Sequence, residues 1–284
     1  MYPIVMKRRL NPYVTHMSIQ APAVAKKAAP GQFIILRIDE NGERIPLTIA
    51  GYDREKGTVD IIFQKVGLTT NKLDEMNEGD ALLDFVGPLG RESEFGDVKG
   101  KKVAVIGGGL GIAIAYPQAV ALSELGAEVD MIVGFRNIDL AILTDELSNK
   151  CSDLIIMTDD GSNGHKGFVT DALRERLEAG VAYDRVIAIG PIPMMRAVSE
   201  MTRPYAIKTI VSMNPIMIDG TGMCGGCRLT VNGETKFACV DGPEFDGHQV
   251  DFNEAMKRGK MYANEEKAAL HDHQCRMMGG NGHE

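Results

Sequence analysis

Residues 219 to 239 constrain this chain more than any other stretch. They read Asp219-Gly220-Thr221-Gly222-Met223-Cys224-Gly225-Gly226-Cys227, then eleven residues, then Cys239. Three of the five cysteines fall within sixteen residues, with two residues between the first pair. Glycines on both sides let backbone N–H groups turn inward toward whatever the sulfurs hold. Cys151 and Cys275 lie far off in sequence and carry no motif.

Three chemistries compete for such a site. A structural zinc centre needs four soft ligands, usually from two paired knuckles, and only one Cys-x-x-Cys is present. A redox dithiol would open a helix within a βαβ unit, whereas Arg228-Leu-Thr-Val-Asn-Gly233 alternates like a strand. The plant-type [2Fe–2S] pattern is Cys-x4-Cys-x2-Cys with a distant fourth cysteine, and here Asp219 stands in the first position. The spacing favours a [2Fe–2S] cluster over zinc and over inert thiols, with Asp219, Cys224, Cys227 and Cys239 as candidate ligands. Asp219 also has a plainer reading as the aspartate of an Asp-Gly turn; ligation is the favoured one.

A chain of 284 residues suggests more than one domain. The net charge of −8 argues against nucleic-acid binding, which needs a basic face, and against an anionic membrane surface. The most apolar stretch, Val103 to Tyr116, holds four glycines and is too short to span a bilayer. Met1-Tyr-Pro-Ile-Val-Met-Lys-Arg-Arg lacks the apolar core of a signal peptide. Few cysteines, most of them in a ligand-like group, fit a reducing cytoplasm.

Residues 1–98 alternate short apolar runs with Gly, Pro and charged turns, the pattern of a small antiparallel barrel. Expected strands include Gln32-Phe-Ile-Ile-Leu-Arg-Ile, Thr58-Val-Asp-Ile-Ile-Phe-Gln and Asp80-Ala-Leu-Leu-Asp-Phe-Val. Arg44-Ile45-Pro46-Leu47-Thr48 taken alone is a proline-marked edge strand. With Val66-Gly67-Leu68-Thr69-Thr70 and Gly87-Pro88-Leu89-Gly90 beside it, it offers an arginine for a pyrophosphate and a hydroxyl for a flavin ring. Barrel, Arg-x-Pro-Leu-Thr and Gly-Pro-Leu-Gly in this order resemble the FAD domains of the ferredoxin reductase family.

Residues 99–212 change regime. Lys101-Lys-Val-Ala-Val-Ile runs into Gly107-Gly108-Gly109-Leu110-Gly111 and an apolar helix. Further strands at 129–135, 154–158 and 185–190 alternate with helical segments, which predicts a parallel sheet covered on both faces. Ile112 breaks the Gly-x-Gly-x-x-Gly fingerprint, and no acidic residue ends the second strand. What remains is a glycine-rich strand-to-helix turn, an anion site at a helix N-terminus. Gly134-Phe135-Arg136, Thr158-Asp159-Asp160-Gly161-Ser162 and Gly190-Pro191-Ile192-Pro193-Met194 end other strands at the same edge. Arg136 suits an NADP 2′-phosphate or simply faces solvent, so spacing leaves the coenzyme open. Gly190-Pro191 with Met194 stands where ferredoxin reductase relatives carry Cys-Gly-Pro near the nicotinamide, with Ile189 replacing the cysteine. After the 213–250 segment, 251–284 reads as a polar helix from Asn253 to about His271. The tail His271-Asp-His-Gln-Cys275 reads as a frayed end rather than a metal site.

The order of FAD barrel, pyridine-nucleotide domain and C-terminal [2Fe–2S] segment resembles the electron-transfer subunits of dihydroorotate dehydrogenase type B over roughly residues 1 to 262. Asp219 in the first ligand position is similar to the bifurcating branch of that family, the small subunits of NADH-dependent reduced ferredoxin:NADP⁺ oxidoreductases. This resemblance implies FAD held by Arg44, Pro46, Leu47, Thr48, Gly67, Thr70 and Gly87. It implies NAD(H) against Gly107, Gly108, Gly109, Gly111, Arg136, Asp160, Gly190 and Met194. It also implies a heterodimer with a larger subunit that carries a second FAD and [4Fe–4S] clusters and deals with ferredoxin and NADP(H). Two other functions stay open at this point: service to a dihydroorotate-oxidising partner, and a non-enzymatic module that binds metal and nucleotide.

Overall fold

The computed structural model describes residues 1–279, with side chains through His271. The N-terminal part comprises strands β1 (Tyr2–Asn11), β2 (Val14–Gln20), β3 (Phe33–Arg37), β4 (Ile45–Asp53), β5 (Thr58–Gln64), β6 (Ala81–Leu82) and β7 (Asp84–Leu89). Short helices α1 (Pro22–Ala25) and α2 (Leu68–Glu75) lie between them. The strands form one antiparallel sheet in the order β6-β1-β2-β5-β4-β3-β7, nearly closed because β6 runs through Leu83 into β7. Ile34 and Leu36 fill the barrel with Ile4, Met17, Phe63 and Phe85. Phe33 and Ile35 point the other way, into a core shared with the rest of the chain. A strand buried on both faces explains the unbroken apolar run Phe-Ile-Ile-Leu.

Pro46 does not mark an edge strand, since β4 lies between β5 and β3. The reason is local. Pairing of β4 with β5 begins only at Ile49, while Pro46 pairs with Ile35 of β3. Ile49 N–H donates to Gln32 O at 3.0 Å, so by alternation the proline nitrogen faces the open side where no donor is needed.

The second part is a parallel sheet: β8 (Lys102–Gly108), β9 (Glu128–Phe135), β10 (Asp153–Thr158), β11 (Arg185–Ile189) and β12 (Lys208–Ser212). Helices α3 (Gly111–Glu124), α4 (Thr144–Ser148), α5 (Val169–Glu178) and α6 (Ile192–Thr202) connect these strands. The order β10-β9-β8-β11-β12 places a topological switch point between β8 and β11. The strand β12 is missed by the sequence reading, because Lys-Thr-Ile-Val-Ser is short and shows little contrast.

The third part is a hairpin, β13 (Arg228–Val231) and β14 (Glu234–Phe237), followed by α7 (Ala238–Asp241) and β15 (Glu244–Asp246). β15 pairs antiparallel with β12, so the 213–250 segment is stitched into the nucleotide sheet rather than hung from it. The expected single C-terminal helix is two, α8 (Phe252–Arg258) and α9 (Ala263–Gly279), separated by the turn at Gly259. α8 packs on α6 and α9 on α2. The stretch 271–275, expected to be a frayed end rather than a metal site, continues α9, and its side chains beyond His271 lie outside those described.

Candidate functional site

The hairpin explains the cysteine spacing. Asn232 and Gly233 both take positive φ, +51° and +75°, the two-residue turn that suits tightly paired strands. Arg228 pairs with Phe237, and Ala238 N–H donates to Cys227 O at 3.2 Å. The residues just outside the hairpin, Cys227 and Cys239, are therefore neighbours, with sulfurs 3.2 Å apart. Thiolates sharing one tetrahedral ion with bonds of about 2.3 Å would stand about 3.8 Å apart, a small adjustment. Both residues are buried among apolar side chains. That burial, and then the neighbouring Cys227 thiol, push the Cys239 thiol up to about 12. A buried thiol with such a preference needs a cation to become a thiolate.

The loop before the hairpin supplies the rest. Cys239 N–H points at Cys227 Sγ and Gly226 N–H at Cys224 Sγ, each at 3.5 Å. Cys224 is exposed. Asp219 accepts from Thr221 N–H at 2.9 Å and from Cys224 N–H at 2.7 Å. These backbone donors, Thr221 first, hold its carboxyl below the usual carboxylate range. Both readings of Asp219 thus meet in one geometry, a turn aspartate whose carboxylate lies beside Cys224 and within electrostatic reach of Cys239. Among the described residues no three His, Cys, Asp or Glu side chains converge on a single ion. A dinuclear cluster asks for two pairs instead, and two pairs are present: Asp219 with Cys224, and Cys227 with Cys239. The donor set fits a [2Fe–2S] group.

The loop rests on the barrel. A Cβ on Gly220, whose φ is +77°, would stand 2.6 Å from Leu89 Cδ1 and 3.1 Å from Ile35 Cγ1. Arg44 Nε donates to Ile218 O at 2.9 Å. Phe33 pairs with both Thr48 and Leu89, and Ile35 with both Pro46 and Val86. Directly opposed residues point to the same face. Pro46, Thr48 and Leu89 therefore share the outer face of the barrel with Ile35, where the cysteine loop sits.

Leu47, by contrast, pairs with Ile34 and packs on the barrel core rather than on that face. Thr69 Oγ1 donates to Glu43 Oε2 at 2.5 Å, tying the start of α2 to the residue before Arg44. Thr70 Oγ1 accepts from Val66 and Gly67 N–H at 3.0 and 3.1 Å, which shapes the turn. Gly87 lies against Ile34, where a Cβ would meet Cγ2 at 2.6 Å. Arg44, Pro46, Leu47, Thr48, Gly67, Thr70 and Gly87 are all half-buried. Arg44 Nη1 makes only a long ion pair, 3.9 Å to Asp84 Oδ2. A half-buried arginine and a strand end open on one side form a cradle suited to a flavin dinucleotide.

At the switch point the two glycine turns touch. A Cβ on Gly108 would meet Met194 Sδ at 2.5 Å and Pro191 Cδ at 3.1 Å, and one on Gly190 would meet Gly108 N and O at 3.1 Å. Gly107 packs against Ile112, while Gly109, at φ +55°, is open to solvent and donates to Gly134 O at 2.9 Å. The next two strand ends also join: Asp160 N–H donates to Arg136 O at 3.3 Å, and Asp160 accepts from Ser162 N–H at 2.9 Å. That hydroxyl and amide of Ser162 lower the Asp160 carboxyl. Arg136 is exposed and its side chain has no partner among the described residues. The candidate nucleotide residues therefore line one crevice outside the carboxyl ends of the strands.

Sequence reasoning missed Glu244 of β15. It is half-buried where the barrel, α3 and the cysteine segment meet, and accepts from Ser93 Oγ and Gln118 Nε2, each at 2.6 Å. Burial raises its carboxyl above the usual range against the pull of those two hydrogen bonds. Its only sequence signal was the pair Pro-Glu.

Comparison with known proteins agrees with this geometry. The pattern of the iron–sulfur cluster binding domain of dihydroorotate dehydrogenase B matches residues 214–251. An uncharacterized protein of the adh 3′ region of Clostridium beijerinckii is 52% identical, covering 100% of this chain and 96% of its own. A Thermotoga maritima homolog of the electron transfer subunit of dihydroorotate dehydrogenase B (NAD⁺) is 46% identical, covering 93% and 92%. Among solved structures, a chain of the NADH-dependent reduced ferredoxin-NADP oxidoreductase, studied for flavin-based electron bifurcation, superposes with a TM-score of 0.91 at 43% identity, covering 96% and 98%. A ferredoxin reductase of carbazole 1,9a-dioxygenase shares the fold at a TM-score of 0.61 and 21% identity, covering 72% of this chain and 65% of its own. With a barrel of the ferredoxin reductase type, a parallel α/β sheet and a cysteine loop between them, the chain belongs to the family of dihydroorotate dehydrogenase B electron transfer subunits and their homologs.

Proposed function

We propose that this chain is the electron-transfer subunit of a bifurcating NADH-dependent reduced ferredoxin:NADP⁺ oxidoreductase, a flavin- and iron–sulfur-dependent oxidoreductase subunit. The observation that carries the reading is the seat of the cysteine loop on the outer face of β3, beside Pro46 and Thr48. When bound, FAD and a [2Fe–2S] cluster supply the conversion between two-electron and one-electron chemistry, with NAD(H) as the hydride carrier.

The chain's own residues set positions and exclude water. Arg44, Pro46, Leu47, Thr48, Gly67, Thr70 and Gly87 hold the flavin. Gly107, Gly108, Gly109, Gly111, Arg136, Asp160, Gly190 and Met194 hold the dinucleotide, and Asp219, Cys224, Cys227 and Cys239 bind iron. We assign 1–98 to the flavin barrel, 99–212 to the nucleotide domain, 213–250 to the cluster segment and 251–284 to the C-terminal helices. The family relationship calls for a larger partner subunit. Its own FAD and [4Fe–4S] clusters, its handling of ferredoxin and NADP(H), and a cytoplasmic heterodimer are parts of this proposal. Among the described residues no helix is long and apolar enough to cross a membrane.

The same fold serves dihydroorotate oxidation, and the match over residues 214–251 favours that as the second reading. Asp219 in the first ligand position separates the two. Anaerobic affinity purification from the native host, with flavin and iron counted, decides between them. A co-purifying subunit with FAD and [4Fe–4S] clusters supports the first reading. An FMN-containing partner that oxidises dihydroorotate overturns it, and a chain with zinc and no flavin overturns both.

A further inference from the structure

Three arginines from distant parts of the chain donate to backbone carbonyls of the cysteine loop. Arg44 Nε reaches Ile218 O at 2.9 Å, Arg91 Nε reaches Val240 O at 3.3 Å, and Arg258 Nη2 reaches Gly226 O at 3.1 Å. Each carbonyl belongs to a residue adjacent in sequence to a candidate ligand: Ile218 to Asp219, Val240 to Cys239, Gly226 to Cys227.

Arg258 is the least compensated of the three. It ends α8, is half-buried, and has no carboxylate within ion-pair distance among the described residues. Its Nε is buried without a hydrogen-bond partner. Arg44 by contrast has Asp84 at 3.9 Å, and Arg91 is exposed to water. A guanidinium withdrawn from solvent with no counter-charge is costly, and such groups persist where a negative group compensates them. The carbonyl of Gly226 is neutral. A cluster bound by three thiolates and a carboxylate is negative, and gains one unit of negative charge with each electron it accepts.

We infer that Arg258 is a positioning residue for the cluster's redox chemistry. It fixes the Cys224–Cys227 turn through Gly226, and its charge stabilises the reduced cluster. Arg91 and Arg44 complete the collar at the loop's other two ends. Of the two arginines without a carboxylate partner among the described residues, Arg258 has the larger effect, because solvent and salt screen the exposed Arg91. The inference rests on the [2Fe–2S] reading above.

The test is a potentiometric titration of the intact complex under anaerobic conditions, followed by EPR of the reduced cluster, with iron counted in each sample. Arg258→Gln keeps a donor for Gly226 O and removes the charge; Arg258→Lys keeps the charge. The expected result is a more negative midpoint in the Gln variant, a midpoint near wild type in the Lys variant, and a smaller negative shift in Arg91→Gln. A Gln variant with full iron and an unshifted midpoint would overturn the inference. So would equal shifts in the Gln and Lys variants, or loss of the cluster from both, which would leave Arg258 a purely structural residue. Wild-type protein that carries no iron would instead remove the cluster reading itself.

Discussion

Gly111→Ala sets two effects of opposite sign against each other at the nucleotide crevice. Gly111 is the first residue of α3, and alanine is the better helix former by about 1 kcal/mol. Its Cβ, however, would lie 2.7 Å from Ile189 C and 2.8 Å from Gly190 Cα, and closer still to Ile189 O. These are backbone atoms in the central strand β11 and the turn after it, so no rotamer change relieves the contact. Ordinary contact begins near 3.4 Å, so α3 must retreat by roughly 1 Å, at the upper end of overpacking costs, about 3 kcal/mol. The clash wins, leaving a net loss of about 2 kcal/mol and a Tm lowered by roughly 4–8 °C. The retreat also draws the helix N-terminus away from the crevice, and NAD(H) binds about tenfold more weakly, or about 1.4 kcal/mol. Thermal denaturation and calorimetric titration with NADH measure the two. Gly109→Ala is the control: open space surrounds it and only its φ of +55° is strained, so α3 stays in place. A Gly111→Ala protein as stable as wild type, with unchanged NADH affinity, would refute the close seat of α3 on β11.

Other expectations bear on the cluster loop and the three-way junction. Asp219→Cys retains a [2Fe–2S] cluster with a shifted potential and EPR spectrum; an unchanged spectrum and potential would remove Asp219 from the ligand set. Gly220→Ala forces a side chain at φ +77° against Leu89 and Ile35, costing about 1–2 kcal/mol. Iron content should fall while FAD content stays, and equal iron in the variant would show that the loop does not depend on this contact. Glu244 keeps its proton to higher pH when folded than when unfolded. Its contribution is thus fully present at acid pH and lost as pH rises through its raised value. Glu244→Gln cannot ionise and should flatten the fall in denaturation midpoint from weakly acidic to neutral pH; a parallel curve would rule out titration of Glu244.

Some features were legible because their cause is local. Cysteine spacing follows from a hairpin of fixed length between Cys227 and Cys239. The unbroken apolar runs of β8 and β11 follow from burial on both faces, and glycines marked the turns at Gly107–Gly111 and Gly190. Other features depended on contacts between distant residues. Pro46 looked like an edge marker because nothing near it tells that β5 begins pairing only at Ile49. β12 is too short to announce itself, and β15 is three residues held by a partner strand.

The sequence by itself determined which chemistry the chain can hold: sulfur and carboxylate donors at cluster spacing, a flavin-type strand motif, and a phosphate turn without the dinucleotide fingerprint. Only the tertiary structure decided that the cysteine loop seats on the flavin-type strand. The hydrogen bond from Arg44 to Ile218 joins positions 174 residues apart, and that from Arg258 to Gly226 joins positions 32 apart. Residue type and local periodicity carry no information about such pairs, since the energy that selects them arises only when separate elements bury a common core.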